Sequence, residues 1–179
     1  MALFTGKGDG GTTKAFDTEK GVRISKASPL PEALGTLDEL NAWLGFVRMR
    51  AVGNDRIVEL LRDTQEKLFI VQAEMAGSGK RLPEGTVKSV EDIVNGIERE
   101  IPPLKGFSVA GGTELSAALD VARTMARRAE RRATGVIEEG IRELSQETRA
   151  YLNRLSSLLF ALARLANSQA GMAEENPKY

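Results

Sequence analysis

The sequence predicts an all-α fold: a bundle of about five helices behind a glycine-rich N-terminal segment. Three observations carry that expectation. Apolar residues recur at helical spacing over long stretches, as in Leu37, Leu40, Leu44 and Val47. Breaks rich in glycine or proline separate those stretches. Strand-like alternation is scarce, and no internal repeat or low-complexity tract is present.

The elements follow in order. Residues 1–35 read as irregular or at most weakly extended, with Gly6, Gly8, Gly10 and Gly11 clustered. Helical patterning begins at Thr36, where Thr36 and Glu39 offer a capping box. A second helix runs from about Asp55 to about Ala76, with Ile57, Leu60, Leu61, Leu68, Val71 and Met75 apolar, and stops at GSGK. A third spans roughly Val87 to Glu100 and ends at Pro102-Pro103, because proline cannot continue the hydrogen-bond ladder. The fourth covers about Glu114 to Glu139 and the fifth about Gln146 to Ala170, before a polar tail over 171–179. The chain reads as one domain, with 1–35 as a ligand-binding segment and 36–170 as the bundle.

Composition excludes whole classes of chemistry. The 179 residues contain no cysteine and no histidine. Disulfides, thiolate metal sites and Ser-His-Asp or Cys-His catalysis are therefore out. Lys+Arg and Asp+Glu are both 25, so a formal net charge of zero gives no reason to expect nucleic acid or an anionic membrane as partner. MALFTGKGDG has no apolar h-region and predicts no signal peptide, and no run approaches a membrane span.

Against that neutral background, Arg123, Arg127, Arg128, Arg131 and Arg132 fall within ten residues of the fourth helix. At 3.6 residues per turn, Leu115, Leu119, Ala122, Ala126, Ala133 and Ile137 share one arc facing the core, with Ala129 close to it. Asp120, Arg123, Arg127, Glu130 and Arg131 occupy the neighbouring arc, while Arg128 and Arg132 point away from it. Such a stripe reads either as a solvated face with i,i+4 pairs or as a site for an anion or for acids on other helices. On the fifth helix, Leu155, Leu158, Leu159, Leu162 and Leu165 form the apolar stripe, and Asn153 lies off it. On the first, Asp38 suits a helix N-terminus as a surface acid or holds an arginine of the fourth helix.

The segment TGKGDGGTT admits the same two readings, turn or anion cradle. Its glycines let backbone N–H groups approach a ligand, Thr5, Thr12 and Thr13 add hydroxyls, and Lys7, Lys14 and Lys26 add charge. It lacks the spacing of a Walker loop, and so does GSGK at Gly77 to Lys80, which reads as a plain connection.

TGKGDGGTT, GTLDELN, ARTMARRAERR and YLNRLSSLLFALAR, in this order, resemble the PduO-type ATP:cob(I)alamin adenosyltransferases from about Thr5 to about Asn167. The resemblance implies a ferritin-like five-helix bundle that forms a homotrimer with active sites between subunits. It implies transfer of the 5′-deoxyadenosyl group of ATP to the cobalt of cob(I)alamin, with release of triphosphate. Carried over residue by residue, it implies ATP contacts from Thr5, Gly6, Lys7, Gly8, Asp9, Gly11, Thr13, Lys14 and Lys26. Further nucleotide contacts fall on Arg127, Arg128, Glu130, Arg131 and Asn153. It gives catalytic weight to Arg123 and Arg127, to Asp38 as the acid that pairs with Arg127, and to Phe107 as the aromatic that faces the corrin. It implies Mg²⁺ carried by ATP rather than by protein side chains. It also implies a cytoplasmic enzyme served by a cob(II)alamin reductase and serving an adenosylcobalamin-dependent enzyme, with no nucleic-acid or membrane partner. The chain departs from the expected pattern at Val109-Ala110, where Leu-Pro is usual, at Asp120, where histidine is frequent, and at Gly10, where a charged residue is frequent. The competing reading is a non-catalytic bundle that stores or delivers cobalamin, or binds an acidic partner through the arginine helix.

Overall fold

The computed structural model describes residues 3–16, 19 and 22–178. Five helices build it: α1 (Pro29–Arg50), α2 (Asp55–Met75), α3 (Thr86–Glu100), α4 (Glu114–Glu138) and α5 (Gln146–Gln169). Two short strands, β1 (Thr12–Thr13) and β2 (Ile24–Ser25), pair antiparallel with Thr12 opposite Ser25. The ends of α2 to α5 fall within a residue of the expected ones.

The start of α1 is a correction. The helix begins at Pro29, not at Thr36, so the bundle takes in part of the segment assigned to 1–35. Ser28 stands at the N-cap with extended backbone and Pro29 follows, where the missing N–H of proline costs nothing and its fixed φ suits a helix. Thr36 is no cap: its hydroxyl donates to the Glu32 carbonyl at 2.7 Å, inside the helix. Pro29 and Pro31 look like breakers in a sequence but sit in the first turn, where proline is tolerated.

Packing runs α2–α1–α4–α5–α3. The Arg56–Glu100 pair at 2.5 Å joins the two outer helices. α5 is the most enclosed, with Leu155, Leu158, Leu159, Leu162 and Leu165 all buried. α4 gives the core Leu119, Ala122, Ala126, Ala129, Ala133 and Val136, and its alanines let α1 and α5 approach closely. Leu115 and Ile137, expected on that arc, are only partly buried and pack against its edge.

Polar groups inside the bundle tie helix ends together. Glu74, near the end of α2, is almost wholly buried. Its carboxylate accepts from the Ser145 N–H at 2.5 Å, the Thr148 hydroxyl at 2.6 Å and the Ser145 hydroxyl at 3.2 Å. It therefore caps the N-terminus of α5, where a negative charge also meets the positive end of the helix dipole. Arg81, at 3.2 Å, balances the charge from the solvent side. Glu147 does the same for α3, accepting from the Val87 N–H at 2.8 Å.

Tyr151 is fully buried, and its hydroxyl makes no hydrogen bond of good geometry. Burial first, and then the nearby Asp63 carboxylate, push its pKa above the ordinary value of 10.0. The folded state thus holds this proton more tightly than the unfolded chain does. Its contribution to stability is complete below pH 10 and is lost as the pH climbs beyond it.

Two substitutions should behave oppositely in urea unfolding. Glu74→Ala strands buried donors and should cost about 3 kcal/mol. Tyr151→Phe removes an unsatisfied hydroxyl, should leave stability within about 1 kcal/mol at neutral pH, and should flatten the loss above pH 10. A Tyr151→Phe protein that is strongly destabilised would show that the hydroxyl has a partner.

Candidate functional site

The link between α3 and α4 carries Phe107 over the outer edge of the α4–α5 pair. An open cleft of about 390 Å³ lies there, lined by Phe107, Arg123, Arg127, Ser156, Ser157 and Phe160 among others. Three of the four expected catalytic residues thus share one space. Arg123 and Arg127 stand one turn apart on α4, on the arc predicted beside the core stripe. Arg123 is fixed: its Nε donates to the buried Asp120 carboxylate at 3.0 Å, and its guanidinium lies 5.8 Å from the Phe160 ring centroid. Arg127 is exposed and has no ion-pair partner among the described residues.

Asp38, the fourth, is also exposed and unpaired among the described residues. Within one chain it does not meet Arg127. Its neighbour Glu39 instead binds Arg128, and Glu32 binds Arg132 at 3.4 Å, so the two arginines that point away from the stripe clamp α4 to α1. Arg131 stays exposed. Glu130 accepts from the Asn153 side chain at 2.7 Å, and Asn153 in turn accepts from Arg154 at 2.5 Å. The α4 and α5 residues expected at the nucleotide are therefore joined directly.

The glycine segment is compact. Asp9 N–H donates to the Gly6 carbonyl at 3.2 Å and Gly11 N–H to the Gly8 carbonyl at 3.1 Å, forming successive tight turns. Gly6 and Gly11 have φ of 68° and 74°, a region that favours glycine. Lys26 docks onto this loop: its N–H donates to the Gly11 carbonyl at 2.9 Å, and its Nζ would lie 3.1 Å from a Cβ on Gly8. Bare backbone at Gly8 thus leaves the Lys26 ammonium its place. Thr13 is half-buried in β1, while Thr5, Lys7, Asp9 and Lys14 are exposed.

The structure does not bring the loop to the arginines. A cleft lined by Ala15, Ile24, Ser25, Ile141 and Arg142 seats the hairpin just past the C-terminal end of α4. From Arg127 that end lies about 16 Å further along the helix. Among the described residues no hydrogen bond or ion pair joins Thr5–Lys14 or Lys26 to Arg123, Arg127, Arg131 or Asn153. One chain thus holds two separate candidate groups: an aromatic and cationic cleft, and a glycine loop with a lysine.

Residues outside the sequence-based set complete the picture. Arg23 holds the Thr12 hydroxyl and carbonyl, each at 2.8 Å, and so fixes the hairpin. Asp120 and Phe160 orient Arg123. A signal for Asp120 existed: it lies three residues before Arg123 on the same arc. Arg23 left none, because its partner comes from the opposite strand.

The bundle exposes a cationic, aromatic-edged cleft and, apart from it, a glycine loop, an arrangement whose chemistry suits an anionic group beside a flat or apolar one. The profile of one family, cobalamin adenosyltransferase, matches residues 3–166. Corrinoid adenosyltransferase PduO of Citrobacter freundii is 39% identical over 178 residues, 95% of this chain. The corrinoid adenosyltransferase of Bacillus subtilis is 35% identical, with 97% of this chain and 91% of the relative covered. This chain spans 51% of the Citrobacter protein's length. A phenylalanine-to-alanine variant of a PduO-type ATP:corrinoid adenosyltransferase from Lactobacillus reuteri, complexed with cobalamin and ATP, superposes with a TM-score of 0.91 at 28% identity, covering 99% of this chain and 100% of that one. An arginine-to-lysine variant from the same organism, complexed with ATP, gives a TM-score of 0.90 at 30% identity, covering 98% of this chain and all of that one. The chain belongs to the cobalamin adenosyltransferase family.

Proposed function

We propose that this chain is a corrinoid adenosyltransferase, which transfers the 5′-deoxyadenosyl group of ATP to the cobalt of cob(I)alamin and releases triphosphate. The observation that carries the reading is the meeting of Phe107, Arg123 and Arg127 in one cleft, in a chain of this family. The cobalt electron pair attacks C5′ of the ribose. A Co–C bond forms as the C5′–O bond breaks, and triphosphate departs with the electron pair of that bond. The cobalt centre is the nucleophile, and no proton has to be removed. A chain without histidine or cysteine is therefore equipped for the reaction. The protein's share is to align C5′ with cobalt and to stabilise the departing charge. Lys26, the loop amides of Gly6 to Gly11, Arg127, Arg131 and Asn153 are its means. Mg²⁺ enters on the triphosphate.

Phe107 faces the corrin in this reading. Its exposed ring keeps a ligand off the lower axial position, so that cob(II)alamin more readily accepts the electron that a reductase supplies. The product goes on to an adenosylcobalamin-dependent enzyme, and the work is cytoplasmic. No helix among the described residues is long and apolar enough to cross a membrane.

A homotrimer would close the gap between the two groups, the glycine loop of one copy lying over the arginine stripe of the next. Asp38 and Arg127, exposed and unpaired among the described residues, support this, since they would meet across the contact. So do Phe46 and Met49 of α1 and Val121 of α4, apolar residues that the single chain leaves exposed. A bundle that only stores cobalamin has no use for a glycine loop carrying Lys26.

The direct test is the appearance of light-sensitive adenosylcobalamin from ATP and chemically reduced cobalamin; its absence would end the reading. Light scattering should give about three times the chain mass of 19.4 kDa. Arg127→Ala should abolish transfer and Asp38→Asn should impair it strongly, whereas Arg132→Ala should change little because its pair with Glu32 is exposed.

Phe107 and Lys26 should separate the two substrates. Phe107→Ala should keep ATP affinity within a few-fold yet lose most activity from cob(II)alamin, with much of the loss restored by pre-reduced cob(I)alamin. Lys26→Ala should weaken ATP binding with either cobalt state. A Phe107→Ala protein equally defective with both states would remove Phe107 from the corrin side.

A further inference from the structure

We propose that residues 174–176 of the C-terminal tail form a strap that sets the Phe107 loop, with Arg164 and Asn167 of α5 as its positioning residues. The inference rests on the reading of Phe107 as the corrin-side aromatic.

Between Ile101 and Thr113 the link has no helix or strand of its own, so its shape must be set from outside. Arg164 is 7% exposed, with its guanidinium forked between two segments. Its Nη2 donates to the Pro102 carbonyl at 2.6 Å, at the start of the link, and its Nε donates to the Glu174 carboxylate in the tail. A buried guanidinium needs both an anion and geometric acceptors, and here one comes from each segment.

Asn167, nearly one turn further along α5, holds the other end. Its Nδ2 donates to the Gly111 carbonyl at 2.8 Å, and its Oδ1 accepts from the Thr113 N–H at 2.9 Å and the Thr113 hydroxyl at 3.1 Å. Gly112 lies so close that a Cβ there would stand 2.6 Å from the Asn167 amide, and its φ of 96° favours glycine independently. Glycine at 112 is thus the cost of letting Asn167 reach the backbone.

The tail then grips the middle. Val109 N–H donates to the Glu175 carbonyl at 2.8 Å, and the Asn176 side chain donates to the Phe107 carbonyl itself at 2.8 Å. The backbone is held at the Phe107 carbonyl and at Val109 just beyond it, yet the residue remains 79% exposed. A wedge that must occupy one place beneath a corrin requires that combination: a fixed backbone and a free ring.

The test uses the full chain. Glu174→Gln with Asn176→Ala alters only the tail, and Arg164→Met removes the fork while keeping the apolar stem. With ATP bound, hydrogen exchange at Val109 and its neighbours should rise at least about tenfold in both variants. The protection that ATP gives against melting should stay at the wild-type level. Adenosylation from cob(II)alamin with a one-electron reductant should fall by about tenfold, and from pre-reduced cob(I)alamin by no more than about threefold. The absorption of four-coordinate cob(II)alamin should weaken in step. If Arg164→Met fails to fold, the tail variant decides alone.

Unchanged exchange, or an unchanged ratio between the two cobalt states, overturns the strap. So does an equal loss with both states together with weaker ATP protection, which would make the contacts merely structural. If wild-type protein yields no adenosylcobalamin while exchange still rises in the variants, the tail does hold the loop. It is then the activity reading, and with it the strap's purpose, that falls.

Discussion

Everything in this molecule turns on α4 having to be core and cation carrier at once. Its alanines at 122, 126, 129 and 133 are buried, and only side chains that small let α1 and α5 close around it. The arginines of the next arc are therefore held at the rim of the core, where backbone position is fixed but guanidinium groups still reach solvent. A larger residue at Ala126 or Ala129 would push α5 away and carry Asn153 and Phe160 with it. Packing and the placement of the cationic arc are the same constraint on this helix.

The arginines divide the labour according to helix phase. Arg128 and Arg132 meet the α1 carboxylates Glu39 and Glu32 and hold the helices in register, as exposed pairs of modest strength. Arg123 is pinned by Asp120 and Phe160 at the cleft. Arg127 and Arg131 have no acid partner among the described residues. Positive charge that the fold leaves uncompensated is available for a polyphosphate, and the Asp38 carboxylate on α1 is left over in the same way. In the proposed trimer these surpluses meet, and neutrality is restored across copies rather than within one.

Much of this was legible in the chain. Periodicity and breaks placed α2 to α5, and helix phase separated the core arc of α4 from its cationic arc, because both depend only on local order. The start of α1 was misplaced because Pro29 and Pro31 mark a helix beginning as readily as a break, and Ser28 at the N-cap position makes no side-chain capping bond that would separate the two. Contacts between distant segments left no local trace. Glu74 capping α5 looks in sequence like any helix acid, and the Arg23 grip on Thr12 depends on a strand pairing of two residues. The tail over 171–179 reads as polar and unremarkable, yet Glu174, Glu175 and Asn176 bond to Arg164 and to the Phe107 link.

The central claim is that the glycine loop with Lys26 and the Arg127 stripe form one site only across two copies. Inactive Arg127→Ala protein and Lys26→Ala protein, unfolded and refolded together so that copies exchange, test it most directly when assayed at an ATP concentration too low to fill the weakened loop. With random assembly about a quarter of the sites should pair an intact loop with an intact arginine stripe, and adenosyl transfer should return to that order. If the mixed protein assembles but stays as inactive as its parents, loop and arginines serve the same chain, and the account of a shared site is contradicted.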